Sequence, residues 1–192
     1  MDTKQGNDSG QLLSQAFAST SAVLAEVRPG QLELPTPCAS WQVRDLIDHF
    51  IGTARWAAAS IAGRDESTEA DCAAGDVRAR YDDSARAALA AFGADGALER
   101  TVTLEFGDLS GIALMGLAAG DQFVHGWDLA RAIGYDAELD PELAEVLLGL
   151  ARMSVPDENR GPDGLAPFGP IVLAPADARP ADRLAAFLGR SI

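Results

Sequence analysis

Cationic residues, aromatics, cysteine and histidine are all scarce in this chain, and each shortage narrows the field. Lys and Arg number 15 against 29 Asp and Glu, a formal net charge of −14, with a sequence pI near 4.4. Nucleic-acid binding rests on Lys and Arg facing phosphates, so the balance argues against that partner and against an anionic membrane surface. The acidity itself reads as solubility. No apolar run approaches the ~20 residues needed to cross a bilayer. The polar opening from Met1 to Gly10 lacks the apolar core of a secretory signal. The expected compartment is the cytoplasm, where thiols stay reduced, so Cys38 and Cys72 are expected to be free. Aromatics make up 6 % while hydrophobic residues, many of them alanine, reach 47 %. That composition fills a core without disulfides and favours closely packed helices over a β-sandwich.

The 192 residues suit one domain. Residues 1–10 are expected to be disordered, and 11–192 to form a single all-α domain. A first helix is predicted from about Gln11 to Arg28, with Leu12, Leu13, Ala16, Phe17, Val23, Leu24 and Val27 on one stripe, stopped by Pro29 and Gly30. Pro35 and Pro37 stiffen the next connection, and Ser40 is a good cap for a second helix from Trp41 to about Ala62. Residues 63–75 read as a loop. A third helix is predicted from about Asp76 to Phe92, and Thr101 to Phe106 alternates in the manner of an edge strand or extended connector. Ser110 can cap a fourth helix, Gly111 to Ile133, closed by Gly134. It is apolar nearly all round and should be deeply buried. Asp140-Pro141 opens a fifth helix to about Met153. Residues 156–180 are rich in Pro and Gly and are predicted to wrap the bundle as ordered coil. A short last helix runs from Ala181 to Leu188.

The chain has two histidines, His49 in the middle of the predicted second helix and His125 in the middle of the fourth. Asp121 precedes His125 by one turn, so the two share a side. That side is the apolar one, among Leu114, Leu117, Ala118 and Ala132. An uncompensated carboxylate there would be costly. Two readings follow. Asp121 either makes a buried hydrogen bond to a core histidine, or shares a divalent cation with His125 and His49. Two ligands at i and i+4 completed by a third from elsewhere is a common zinc arrangement. Three protein ligands leave a position for water or substrate, as catalytic rather than structural sites do.

Asp128 and Asp45 are candidates for hydrogen bonding to the ligand rings from behind. The competing readings are an i, i+3 ion pair of Asp128 with Arg131 and an Asp45 that complements the helix dipole. Cys38, just before a helix, reads better as a small buried hydrophobe than as a reactive thiol. Trp41, Trp56 and Trp127 suit packing at least as well as a pocket lining.

The run Leu34-Pro35-Thr36-Pro37-Cys38-Ala39-Ser40-Trp41-Gln42-Val43-Arg44-Asp45-Leu46-Ile47-Asp48-His49 resembles the opening signature of a large actinobacterial DinB-like family. The run from Asp121 through His125-Gly126-Trp127-Asp128-Leu129-Ala130-Arg131 to Gly134 resembles its second signature, and Phe168-Gly169-Pro170 and Asp182 to Arg190 resemble its tail. That family is related to the N-terminal metal-binding domain of mycothiol-dependent maleylpyruvate isomerase. The resemblance implies a DinB-like four-helix bundle core, with additional short helices and a Pro/Gly-rich C-terminal wrap. It implies metal ligands at His49, Asp121 and His125, with zinc or nickel as the ion. The mycothiol enzyme carries Glu at the position of Asp121, one methylene longer.

Superfamily members of known chemistry use the metal to activate a small thiol, because a metal lowers the pKa of a thiol near it. The function implied is a metal-dependent S-transferase or isomerase acting with mycothiol, or a similar low-molecular-weight thiol, on an electrophilic substrate held between the second and fourth helices. At 192 residues the chain is expected to lack the isomerase's separate C-terminal domain, so maleylpyruvate isomerisation is not carried over. The alternatives are a metal-assisted hydrolase using bound water, with Asp128 or Asp45 as base, and a non-enzymatic metal or small-molecule binding module. Such relatives are commonly homodimers, but no exposed patch in the sequence decides the oligomeric state.

Overall fold

The computed structural model describes residues 3–38, 40–64, 76–136, 138–162 and 165–192, with the side chains of 3–9 left aside. Cys72 and most of the predicted 63–75 loop lie outside the described residues. Among the described residues, six α-helices and one hairpin make up the regular structure, with single 3₁₀ turns at Pro29–Gln31 and Asp157–Asn159: α1 Thr3–Leu24, α2 Val43–Ile61, α3 Val77–Phe92, β1 Thr101–Leu104, β2 Gly107–Ser110, α4 Gly111–Ile133, α5 Pro141–Ser154 and α6 Pro180–Phe187.

Helix α1 begins at Thr3, where disorder up to residue 10 is expected from the polar sequence. Elongating a helix that Leu13, Ala16 and Phe17 already anchor adds one hydrogen bond per residue, so the polar end need bury nothing of its own. The helix stops at Leu24 rather than Arg28, five residues before a Pro29 that disfavours helical backbone ahead of it. Helix α2 is capped not by Ser40 but by Gln42, in a reciprocal capping box with Asp45. Asp76, Ser110 and Asp140 cap α3, α4 and α5 through their side-chain oxygens. Gly134 closes α4 in the left-handed conformation at φ 68°.

Helices α1, α4, α2 and α3 pack in that cyclic order, each against its two neighbours, which is a four-helix bundle. Leu13 and Phe17 of α1, Phe50 and Ile51 of α2, Tyr81 of α3, and Leu114 and Phe123 of α4 belong to one continuous core. Polar ties run through it. The Thr20 hydroxyl donates to the Gln122 carbonyl (2.7 Å), and the Tyr81 hydroxyl donates to Gln122 Oε1 (3.0 Å). Burial pushes the Tyr81 pKa well above its ordinary value, so it stays a neutral donor.

The alternating run after α3 is an antiparallel hairpin, paired from Thr101↔Ser110 to Leu104↔Gly107, and Ser110 passes directly into α4. Helices α5 and α6 pack against each other and against α4. The segment between them does wrap the bundle. Its anchors are Phe168, packed on the core, and Arg160, which donates to the carbonyls of Gly169 (3.2 Å) and Phe187 (2.8 Å). Leu165 and Leu173 of the same segment are exposed. Among the described residues no helix is long and apolar enough to cross a membrane.

Candidate metal centre

His49 rises from the middle of α2, and Asp121 and His125 from successive turns of α4. The packing of α2 on α4 brings them together. Asp121 Oδ1 lies 3.1 Å from His49 Nε2 and 3.5 Å from His125 Nε2. The two imidazoles stand edge-on with centroids 4.6 Å apart. One ligand atom from each residue fits within a 4.8 Å group. The other oxygen of Asp121 is fixed by the Thr53 hydroxyl, which donates to Oδ2 (2.8 Å) and accepts from Gln122 Nε2 (3.1 Å). Thr53 sits one helical turn beyond His49, and that spacing is the signal by which it could have been found in the sequence.

His125 also uses its second ring nitrogen. Nδ1 lies 2.9 Å from Asp128 Oδ2, in a carboxylate that is completely buried. A carboxylate only accepts, so Nδ1 carries a proton, and loss of the proton on Nε2 would leave a lone pair directed at Asp121 and His49. Asp128 does not pair with Arg131, whose guanidinium lies over the Trp127 ring. Its partner is Arg190, beyond α6, with Nη2 3.1 Å from Oδ2 and Nε 3.3 Å from Oδ1. Cys38 Sγ is 3.3 Å from the same Oδ2. Cys38, His125 and Asp128 thus form a second compact group, on the Nδ1 side of the ring. Asp45 accepts from the backbone N–H of Gln42 at the start of α2 (2.9 Å).

The Thr-Pro-Cys stretch builds one wall. The Thr36 hydroxyl lies 3.0 Å from the carbonyls of both Cys38 and Trp41 and accepts from the Cys38 N–H (3.1 Å). This tight turn sets Cys38 against Asp128 and lays the Trp41 ring on both imidazoles, with centroids 4.5 Å from His49 and 5.5 Å from His125. The site is shut on the Asp128 side and open on the other, where the His49 and Asp121 side chains keep 27 % and 24 % of their surface.

The charges are strongly coupled. Burial would raise the Asp121 carboxyl, but the facing His125 and His49 and the Thr53 hydroxyl hold it below its ordinary value. Burial would lower His125; Asp121, Asp128 and Cys38 instead push it up to about 10. Asp128 is likewise held down by His125 and Arg190 against its own burial.

The residues fit a divalent ion. Tetrahedral ligands about 2.1 Å from zinc lie about 3.4 Å apart, close to the 3.1 and 3.5 Å separations seen here. The donor set of two imidazoles and one carboxylate suits zinc or nickel, and the Asp128 bond to Nδ1 is the usual support behind a ligating histidine.

Two uncharacterised proteins of Mycobacterium tuberculosis, from strains CDC 1551 / Oshkosh and ATCC 25618 / H37Rv, are each 39 % identical to this chain over 186 residues, covering 95 % of it and 96 % of their own length. No solved structure matches. Residues 13–130, which carry all three clustered residues and Asp128, match the mycothiol maleylpyruvate isomerase N-terminal domain, and the chain belongs to that family.

Proposed function

We propose that this protein is a metal-dependent enzyme acting with a low-molecular-weight thiol of the mycothiol type, as an S-transferase or isomerase. His49, Asp121 and His125 would hold one divalent ion, zinc before nickel. The observation that carries the reading is that both imidazole Nε2 atoms converge on one anionic oxygen while His125 Nδ1 is already committed to Asp128. An ion held there supplies Lewis acidity, which lowers the pKa of a thiol beside it. The chain's own groups do the rest. Asp128 keeps the Nδ1 proton in place, Thr53 fixes the rotation of Asp121, and the Trp41 ring excludes water from one flank. The open side leaves room for the thiol and an electrophile. Leu117, 40 % exposed and one turn before Asp121, offers an apolar contact there.

Metal-assisted hydrolysis needs a free carboxylate beside the site. Asp128 is sealed behind His125 and Asp45 is spent on the helix start, so both candidate bases are out of position. A structural metal needs a fourth protein ligand. Cys38 and Asp128 lie at Nδ1 of the His125 ring, whereas His49 and Asp121 lie at Nε2, which speaks against that alternative.

The test is a cobalt-substituted sample titrated with mycothiol. The thiol reading expects the visible bands of cobalt to shift and saturate. Bands that stay unchanged at saturating thiol, while small anions still perturb them, would contradict it.

A further inference from the structure

The contact between the C-terminal tail and α4 reaches the site through one side chain. Helix α6 ends in a Schellman motif, with the Gly189 N–H on the Ala186 carbonyl (3.0 Å) and the Arg190 N–H on the Ala185 carbonyl (2.9 Å). Gly189 has φ +94°, and a Cβ on it would stand 2.4 Å from Gly169 Cα. Conformation and space both demand glycine there. The residue that follows is thereby aimed at α4. Arg190 meets Asp128 side-on through two nitrogens, donates to the Leu188 carbonyl (3.2 Å), and passes 3.7 Å from Cys38 Sγ. Its side chain is 13 % exposed.

This fork does something that a cap on a buried charge need not do: gripping both oxygens, it fixes the rotation of the carboxylate, so that Oδ2 faces Nδ1. The direction of the Nε2 lone pair follows from that rotation. We infer that Arg190 is a positioning residue for the metal centre: through Asp128 it fixes the orientation of His125, and so sets how tightly His49, Asp121 and His125 hold a divalent ion. The inference rests on the metal reading above.

A second tie of the same tail supplies the control. Trp127 Nε1–H donates to Asp182 of α6 (2.8 Å), one residue from Asp128 along α4 but without contact to the carboxylate. Cobalt affinity by chelator competition, the visible cobalt spectrum and thermal unfolding are measured on the wild-type chain and on Arg190→Gln, Arg190→Lys and Asp182→Ala. Arg190→Gln is expected to weaken cobalt binding by about tenfold or more and to alter the visible bands, the scale of losing support behind a ligand. Arg190→Lys, a point charge without the fork, is expected to recover part of the affinity. Asp182→Ala should lower the unfolding temperature and leave the spectrum as in the wild type.

Wild-type affinity and spectrum in Arg190→Gln would overturn the inference. So would equal spectral changes in Asp182→Ala, which would mean that any loosening of the tail disturbs the site. If Arg190→Gln does not fold, Arg190→Lys carries the test; if neither folds, Arg190 is a structural residue and the inference falls. A wild-type chain that takes up no cobalt is a separate outcome, because it removes the metal reading itself.

Discussion

His125 works with both ring nitrogens, and its neighbours differ on the two sides. Nδ1 meets Asp128, itself gripped by Arg190, while Nε2 faces Asp121 and His49. Asp128→Asn should keep the shape but weaken the pull on Nδ1–H, and metal affinity should fall about 10–100-fold with secondary structure intact; chelator competition and circular dichroism measure the two. The pH dependence follows from the same couple. His125 is pushed up to about 10, so its ion pairing stabilises the metal-stripped protein fully below its ordinary value near 6.5 and is lost as pH rises through about 10. Asp121 and Asp128 are held low, so their contribution is present above about 3.9 and is lost on acidification. A divalent ion competes for the His125 proton. Uptake near neutrality should therefore release about one proton and tighten by about tenfold per pH unit, and an affinity that is flat across the neutral range would contradict this. His49, Asp121 and His125 were legible as a group because ionisable residues on apolar helix faces need a reason. The pairing of Asp128 was not, because Arg190 and Cys38 stand far from it in sequence and no helical spacing links them.

At the scale of the element, local chemistry was most readable where a side chain closes on its own backbone. Ser110, Asp76, Asp140 and Gly134 mark helix ends in the sequence and do so in the structure. Ser40 fails as a cap because the turn built on Thr36 carries the chain on to Gln42 before the helix begins. The hairpin was half visible, since one alternating run does not show its partner. Some helix contacts hinge on a missing side chain. At Gly126 a Cβ would come within 2.7 Å of Thr20 Oγ1, whose hydrogen bond to the Gln122 carbonyl crosses from α1 to α4. Alanine in a helix interior gains about 0.5–1 kcal/mol over glycine, but overpacking costs about 1–3 kcal/mol. Gly126→Ala should therefore destabilise on balance, as read by denaturant unfolding, and a stabilised variant would show that α1 can back away from α4 freely.

Across the whole molecule, the bundle delivers α2 and α4 to one another, and the C-terminal elements then seal the Asp128 face of the site and leave the His49 and Asp121 face open. Composition and helical stripes were enough to predict an all-α chain, and the two signature runs identified the bundle. The seal comes from a tail that reaches the site through Arg190, whose placement is set by tertiary packing. The most direct test is elemental analysis of the untagged wild-type protein beside His49→Ala and His125→Ala. A metal centre predicts about one equivalent of zinc or nickel in the wild type and little in either variant, with all three folded. A wild type that is empty as purified, and that takes up neither zinc nor nickel when they are added, would make the two histidines core residues and contradict the proposed chemistry at its root.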